Sequence, residues 1–132
     1  MIGVDANVLT RLLVNDDASQ HETARRFFSE RSRGSPAFIS AVALVETCWT
    51  LQRRYGYGRD LINEQLRAML SSDDFHFEHG ERLADLLDRG ERTNLDVADH
   101  LVSWSGLAAG CSHTVTFDRG AAKRVEGMEL VA

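Results

Sequence analysis

A chain of 132 residues that is 43% hydrophobic and 27% charged is most economically one globular domain over residues 1–132, able to bury about two-thirds of its unfolded surface. No window approaches the ~20 apolar residues of a membrane span, and no basic, apolar leader precedes Asp5, so a soluble cytoplasmic protein is expected. The net charge of −5 argues against a generic basic nucleic-acid binder but leaves room for a nuclease: metal-holding carboxylates raise the acidic count, and the bound cation then meets the phosphate.

The chain opens on a short apolar run, Ile2 to Val4, that delivers Asp5. The run is too short for a helix, whereas Val8, Leu9, Leu12 and Leu13 have the spacing of a helix face over residues 8–14. Asp5 therefore falls at a strand-to-helix switch, where open α/β sheets collect ligands. Asn15-Asp16-Asp17 is a break, and Ser19-x-x-Glu22 reads as a capping box for a helix through Ala24, Phe27 and Phe28 to about Arg31. Turn chemistry around Gly34 and Pro36 leads to a strand, Ala37-Phe38-Ile39, and Ser40 suits the N-cap of the next helix.

That helix carries one acid, Glu46, among Val42, Val45 and Trp49. Buried unpaired it would be costly, so it must either find a metal or hydrogen-bond partner or lie on a solvent stripe. Cys48 on the same helix reads as packing, and with Cys111 it is too few and too distant for a metal motif or a disulfide framework. Arg53, Arg54, Tyr55 and Arg59 then form a basic, aromatic turn of the kind on which single-stranded RNA stacks, although solvated turns share the pattern.

Residues 60–70 read as a helix with Leu61, Ile62, Leu66, Met69 and Leu70 in the core, and Phe75-His76-Phe77-Glu78 alternates as a strand with His76 at the surface. A helix over 81–89 buries Leu83, Leu86 and Leu87 and stops at Gly90. Thr93-Asn94 opens the last long helix, placing Asp96 and Asp99 three residues apart on one face. Asp96 has a sufficient explanation as a first-turn acid, which ranks Asp99 as the ligand and Asp96 as a second-ion or water-mediated one. Gly110-Cys111-Ser112 closes that helix. His113 to Phe117 alternates as a strand ending in Asp118, which is followed by a helix from Arg119 and a final edge strand over 128–131. Of the basic residues fourteen are Arg and one is Lys123, a ratio that suits phosphate clamps and that coding bias would also produce.

Hard divalent cations such as Mg²⁺ take a few carboxylates and keep several waters, so Asp5, Glu46, Asp99 and Asp118 point to metal-assisted hydrolysis. Val4-Asp5-Ala6-Asn7-Val8-Leu9, Ser40 through Glu46, Asp96-x-x-Asp99-His100-Leu101 and Thr116-Phe117-Asp118-Arg119 resemble the successive motifs of the PIN-domain nucleases, in particular VapC toxins of VapBC toxin-antitoxin pairs. The resemblance implies a three-layer α/β/α sandwich with a mostly parallel central sheet. It implies an endoribonuclease whose Asp5, Glu46, Asp99 and Asp118 hold Mg²⁺ or Mn²⁺, with Asn7 and Thr116 orienting the carboxylates. It also implies a homodimer inhibited by a VapB-like antitoxin lying across the groove. Ala6 departs from the family pattern, since many relatives carry Ser or Thr there.

Two alternatives stay open. A non-catalytic module could keep this fold and bind RNA or protein. A phosphohydrolase could use Asp5 as a covalent nucleophile, although Asn7 stands where such enzymes carry a second acid.

Overall fold

Ile2, Ala37 and Phe75 begin three short apolar runs, and each run becomes a strand. The computed structural model describes residues 1–89 and 95–131 and divides into two units, Met1–Leu95 and Asp96–Ala132. In the first, β1 (Ile2–Gly3), β2 (Ala37–Ile39) and β3 (Phe75–Phe77) form a parallel sheet in that order. Ile2 stands opposite Ala37, and Ala37 opposite Phe75. Parallel neighbours require crossovers. The helices α1 (Ala6–Leu13) and α2 (Ala18–Ser29) supply the first, and α3 (Ala41–Arg53) and α4 (Arg59–Leu70) the second. Consequently every strand hands over to a helix at one edge of the sheet, at Asp5, Ser40 and the start of α5 (Gly80–Asp88).

Leu9, Ile39, Leu44, Leu51, Leu83 and Leu87 are inaccessible to solvent and make the heart of this unit. Each side chain of that size contributes about 1.5–3 kcal/mol by burial. Ser40 caps α3 as the sequence suggests, its side chain accepting from the Ala43 N–H at 3.1 Å. The Ser19 capping box does not form. Helix α2 starts at Ala18 with Asp17 as its cap, the carboxylate accepting from the Gln20 N–H at 3.0 Å. Asp17 wins because its full negative charge at a helix N-terminus adds the dipole interaction to the hydrogen bond. Leu61, expected in the core, is 42% exposed, because Ile62, Leu66 and Met69 at i, i+4 and i+7 already fill the inward stripe of α4.

The second unit comprises α6 (Val97–Ala108), β4 (Thr114–Thr116), α7 (Arg119–Arg124) and β5 (Met128–Leu130), with β4 and β5 parallel. Val97, Ala98, Leu101, Trp104, Ala121, Val125 and Met128 are among its buried apolar side chains. Two glycines allow the close approach of its elements: a Cβ on Gly106 would stand 2.8 Å from Thr114 Oγ1, and one on Gly127 (φ +86°) 2.7 Å from Ser103 Oγ. The buried Ser103 hydroxyl donates to the Glu126 carbonyl at 2.7 Å.

The expected helix stop at Gly90 and helix start at Thr93-Asn94 lie outside the described residues. Asp96 precedes α6 in an extended conformation (φ −93°, ψ 97°), so the expectation that Asp96 and Asp99 share a helix face does not hold. The α/β class with parallel strands does hold: every pairing between the named strands is parallel.

Candidate functional site

Three of the aspartates singled out in the sequence prove to be helix N-caps. Asp5 Oδ1 accepts from the Val8 N–H at 2.9 Å, Asp118 Oδ1 from Ala121 at 3.0 Å and Asp96 Oδ1 from Ala98 at 3.0 Å. An aspartate following a strand is suited to this, because extended backbone at the cap and a short acceptor side chain are what a helix N-terminus needs. One oxygen serves as the cap. The second oxygen of Asp5 and of Asp118 takes no hydrogen bond among the described residues, and both side chains are exposed, so each can cap its helix and bind a cation. Thr116 acts on its neighbour through the backbone, its hydroxyl accepting from the Asp118 N–H at 3.0 Å. Asn7 is exposed in the first turn of α1, behind a buried Ala6.

Asp99 lies in the first turn of α6, half-buried. A late turn of α6 lies against the start of β4, where a Cβ on Gly106 would stand 2.8 Å from Thr114 Oγ1. His100, next in the third motif, is buried beside the Trp104 ring at 5.9 Å.

Glu46 resolves to solvent. Helix α3 buries Ala41, Leu44, Thr47, Cys48 and Leu51 on one side and exposes Val42, Glu46, Trp49 and Arg53 on the other. Two of the three apolar neighbours read in sequence as surrounding Glu46 share its exposed stripe, Val42 at 77% and Trp49 at 43%, while Val45 is half-buried. The Arg53 guanidinium lies over the Trp49 ring, 5.3 Å from its centroid.

The turn that follows is anchored by its tyrosine. Tyr55 donates its hydroxyl proton to Asp16 Oδ2 at 2.5 Å, and Arg11 bridges Asp16 Oδ1 at 2.7 Å, Gln20 Oε1 at 2.6 Å and the Tyr55 oxygen at 3.4 Å. The Tyr55 hydrogen bond, with the Arg11 charge behind it, holds the Asp16 carboxyl below the ordinary carboxylate value. The same hydroxyl and Asp16 push the Arg11 guanidinium up. Tyr55 is thus half-buried and tied down, with Arg54 over its ring at 5.5 Å, while Arg59 begins α4.

Sequence reasoning passed over Glu78. Immediately after β3 its Oε1 accepts from the Ala41 N–H at 2.7 Å, so an acid from the third strand caps the helix that carries Glu46. The signal was the one that marked Asp5 and Asp118, an acid directly after a strand, obscured by the absence of an obvious helix start behind it. His76 is exposed as expected, its ring 6.0 Å from that of Phe38. A cleft of about 680 Å³ opens beside Asp5, lined by Val4, Asn7, Arg11, Gln20 and Phe27 among others.

The donor types suit a hard cation, since all are carboxylate oxygens. Their placement does not assemble one: among the described residues no group of three or more His, Cys, Asp or Glu side chains is positioned to hold a metal ion. Asp5 and Glu46 fall in the first unit, Asp99 and Asp118 in the second. Among the described residues no helix is long and apolar enough to cross a membrane. Compared with known families, residues 2–127 match the one described as PIN domain. Neither the curated proteins nor the solved structures return a match.

Proposed function

Because the chain belongs to the PIN-domain family, we propose that it is a metal-dependent endoribonuclease in which Asp5, Glu46, Asp99 and Asp118 together hold Mg²⁺ or Mn²⁺. Such an ion lowers the pKa of a bound water and offsets charge on the phosphoryl oxygens. Asp96, already engaged as the α6 cap, is the secondary ligand. Asn7 and Thr116 are the polar supports, and the turn carrying Arg53, Arg54, Tyr55 and Arg59 is the RNA contact. The observation that carries the reading is that Asp5 and Asp118 each follow a strand, cap a helix with one oxygen and keep a second oxygen without a hydrogen bond among the described residues. On the same reading, residues 1–132 form one PIN domain of a cytoplasmic VapC-type toxin, a homodimer held in check by a VapB-like antitoxin.

A second reading is a PIN-like module that binds RNA or protein without cutting. The side-chain positions fit it better, since no three of the carboxylates are gathered among the described residues. Purified protein incubated with a total-RNA pool in Mg²⁺, Mn²⁺ or EDTA, beside Asp5→Asn and Asp99→Asn, separates the two. Cuts that need metal and vanish in both folded variants are expected for the nuclease. Cuts that survive Asp99→Asn transfer its role to Asp96. RNA retained intact under every metal condition favours the binding module.

A further inference from the structure

Helix α3 presents the Trp49 indole to solvent beside charged side chains. At 3.6 residues per turn Val42, Glu46, Trp49 and Arg53 fall within about 60° of one another. All four are exposed, whereas the opposite face of the helix is buried. Trp49 lies one turn beyond the proposed metal ligand Glu46, and Arg53 holds its guanidinium against the ring. Among the described residues no carboxylate forms an ion pair with Arg53. The segment 53–59 contains three arginines and no acid in a chain of net charge −5, so the positive charge here is a local reversal. Tyr55 is the less open aromatic of this patch, half-buried and with its hydroxyl tied to Asp16.

Resting on the RNA-directed reading above, we propose that Trp49 is a nucleobase-stacking residue. An unpaired base of a single-stranded RNA lies on the indole, and the flanking phosphate meets Arg53. The chemistry is general: every base has a π-face that an exposed indole can take, and a guanidinium beside it pairs with phosphate while leaving sequence preference weak. The placement has a consequence for the reaction. A base held one helical turn from Glu46 sets which phosphodiester of the strand is presented to the carboxylates, so Trp49 positions substrate without touching the reacting atoms.

The chain contains two tryptophans, Trp49 exposed and Trp104 buried, so indole fluorescence reports the contact directly. The test titrates a fluorescein-labelled, mixed-sequence single-stranded RNA of about twelve nucleotides in EDTA, where no metal-dependent cut can shorten it. Anisotropy gives the affinity and indole emission the stacking, for the full chain and for Trp49→Ala, Trp49→Phe and Arg53→Gln, each checked for folding by circular dichroism. Expected are quenching in the unsubstituted protein, about ten-fold weaker binding in Trp49→Ala, and near-normal affinity without quenching in Trp49→Phe. Arg53→Gln should flatten the salt dependence of binding.

Unquenched emission with unchanged affinity in Trp49→Ala overturns the proposal and leaves the nuclease reading intact. An unsubstituted protein that binds no RNA by either readout overturns both. A dimer in sedimentation that Trp49→Ala converts to monomer, at unchanged RNA affinity, assigns this face to a second copy instead. Quenching that persists in a protein unable to cut total RNA supports the stacking role and removes only the catalytic reading.

Discussion

Asp5 caps α1, and on the nuclease reading the same side chain also binds the metal, so the two roles are separable by substitution. Its Oδ1 satisfies an N–H of α1 that would otherwise lack a partner, so Asp5→Ala should lower stability to urea by about 1 kcal/mol, while Asp5→Asn, which also caps, should cost only a few tenths. On the nuclease reading both abolish cleavage. Equal unfolding midpoints for the two variants would show that the cap contributes nothing. Asp118 has the same chemistry at the start of α7, and for both residues the sequence was legible because a strand, an acid and a helix follow in immediate succession. Glu78 was not legible in that way. The helix it caps begins 37 positions earlier, at Ala41, and only the pairing of β2 with β3 brings the two together.

At the scale of elements, the short contacts of Tyr55 tie the α3–α4 turn to the loop between α1 and α2. The carboxyl of Asp16 is depressed in the folded chain, so its contribution to stability is complete above its ordinary value near 3.8 and is lost as pH falls through the lower folded value. The Tm of the unsubstituted protein should therefore exceed that of Asp16→Asn at neutral pH, and the gap should close on acidification below about pH 3.8. A gap independent of pH would mean that packing, not the charge, holds the turn. Helix α3 shows why sequence pattern failed here. Its residues are apolar nearly all round, so periodicity could not say which side Glu46 occupies, and the buried stripe of Leu44, Cys48 and Leu51 was decided by what it packs against.

Over the whole molecule the two units each carry two of the four acids. If the four act as one set of ligands, a divalent ion that binds only the folded chain must stabilise it, by about 2.7 kcal/mol at a hundred times its Kd. Thermal melts in Mn²⁺ should then show a raised Tm, lost in Asp5→Asn and in Asp118→Asn to the same degree. An equal rise in both variants and the unsubstituted protein would separate these residues from any ion and favour the binding module.

By itself the sequence determined what depends on neighbours a few residues apart: the strand over 37–39, the Ser40 cap and the acids that end β1 and β4. Alternation, capping chemistry and helix spacing are properties of a few consecutive side chains. It misplaced Leu61 and the start of α2, where two local solutions were open and burial or charge chose between them. The exposure of Trp49, the tie between Tyr55 and Asp16 and the cap that Glu78 lends to α3 were decided by the tertiary structure alone. Each joins or sorts residues far apart in the chain, and no local pattern encodes which partners the packed core will bring within reach.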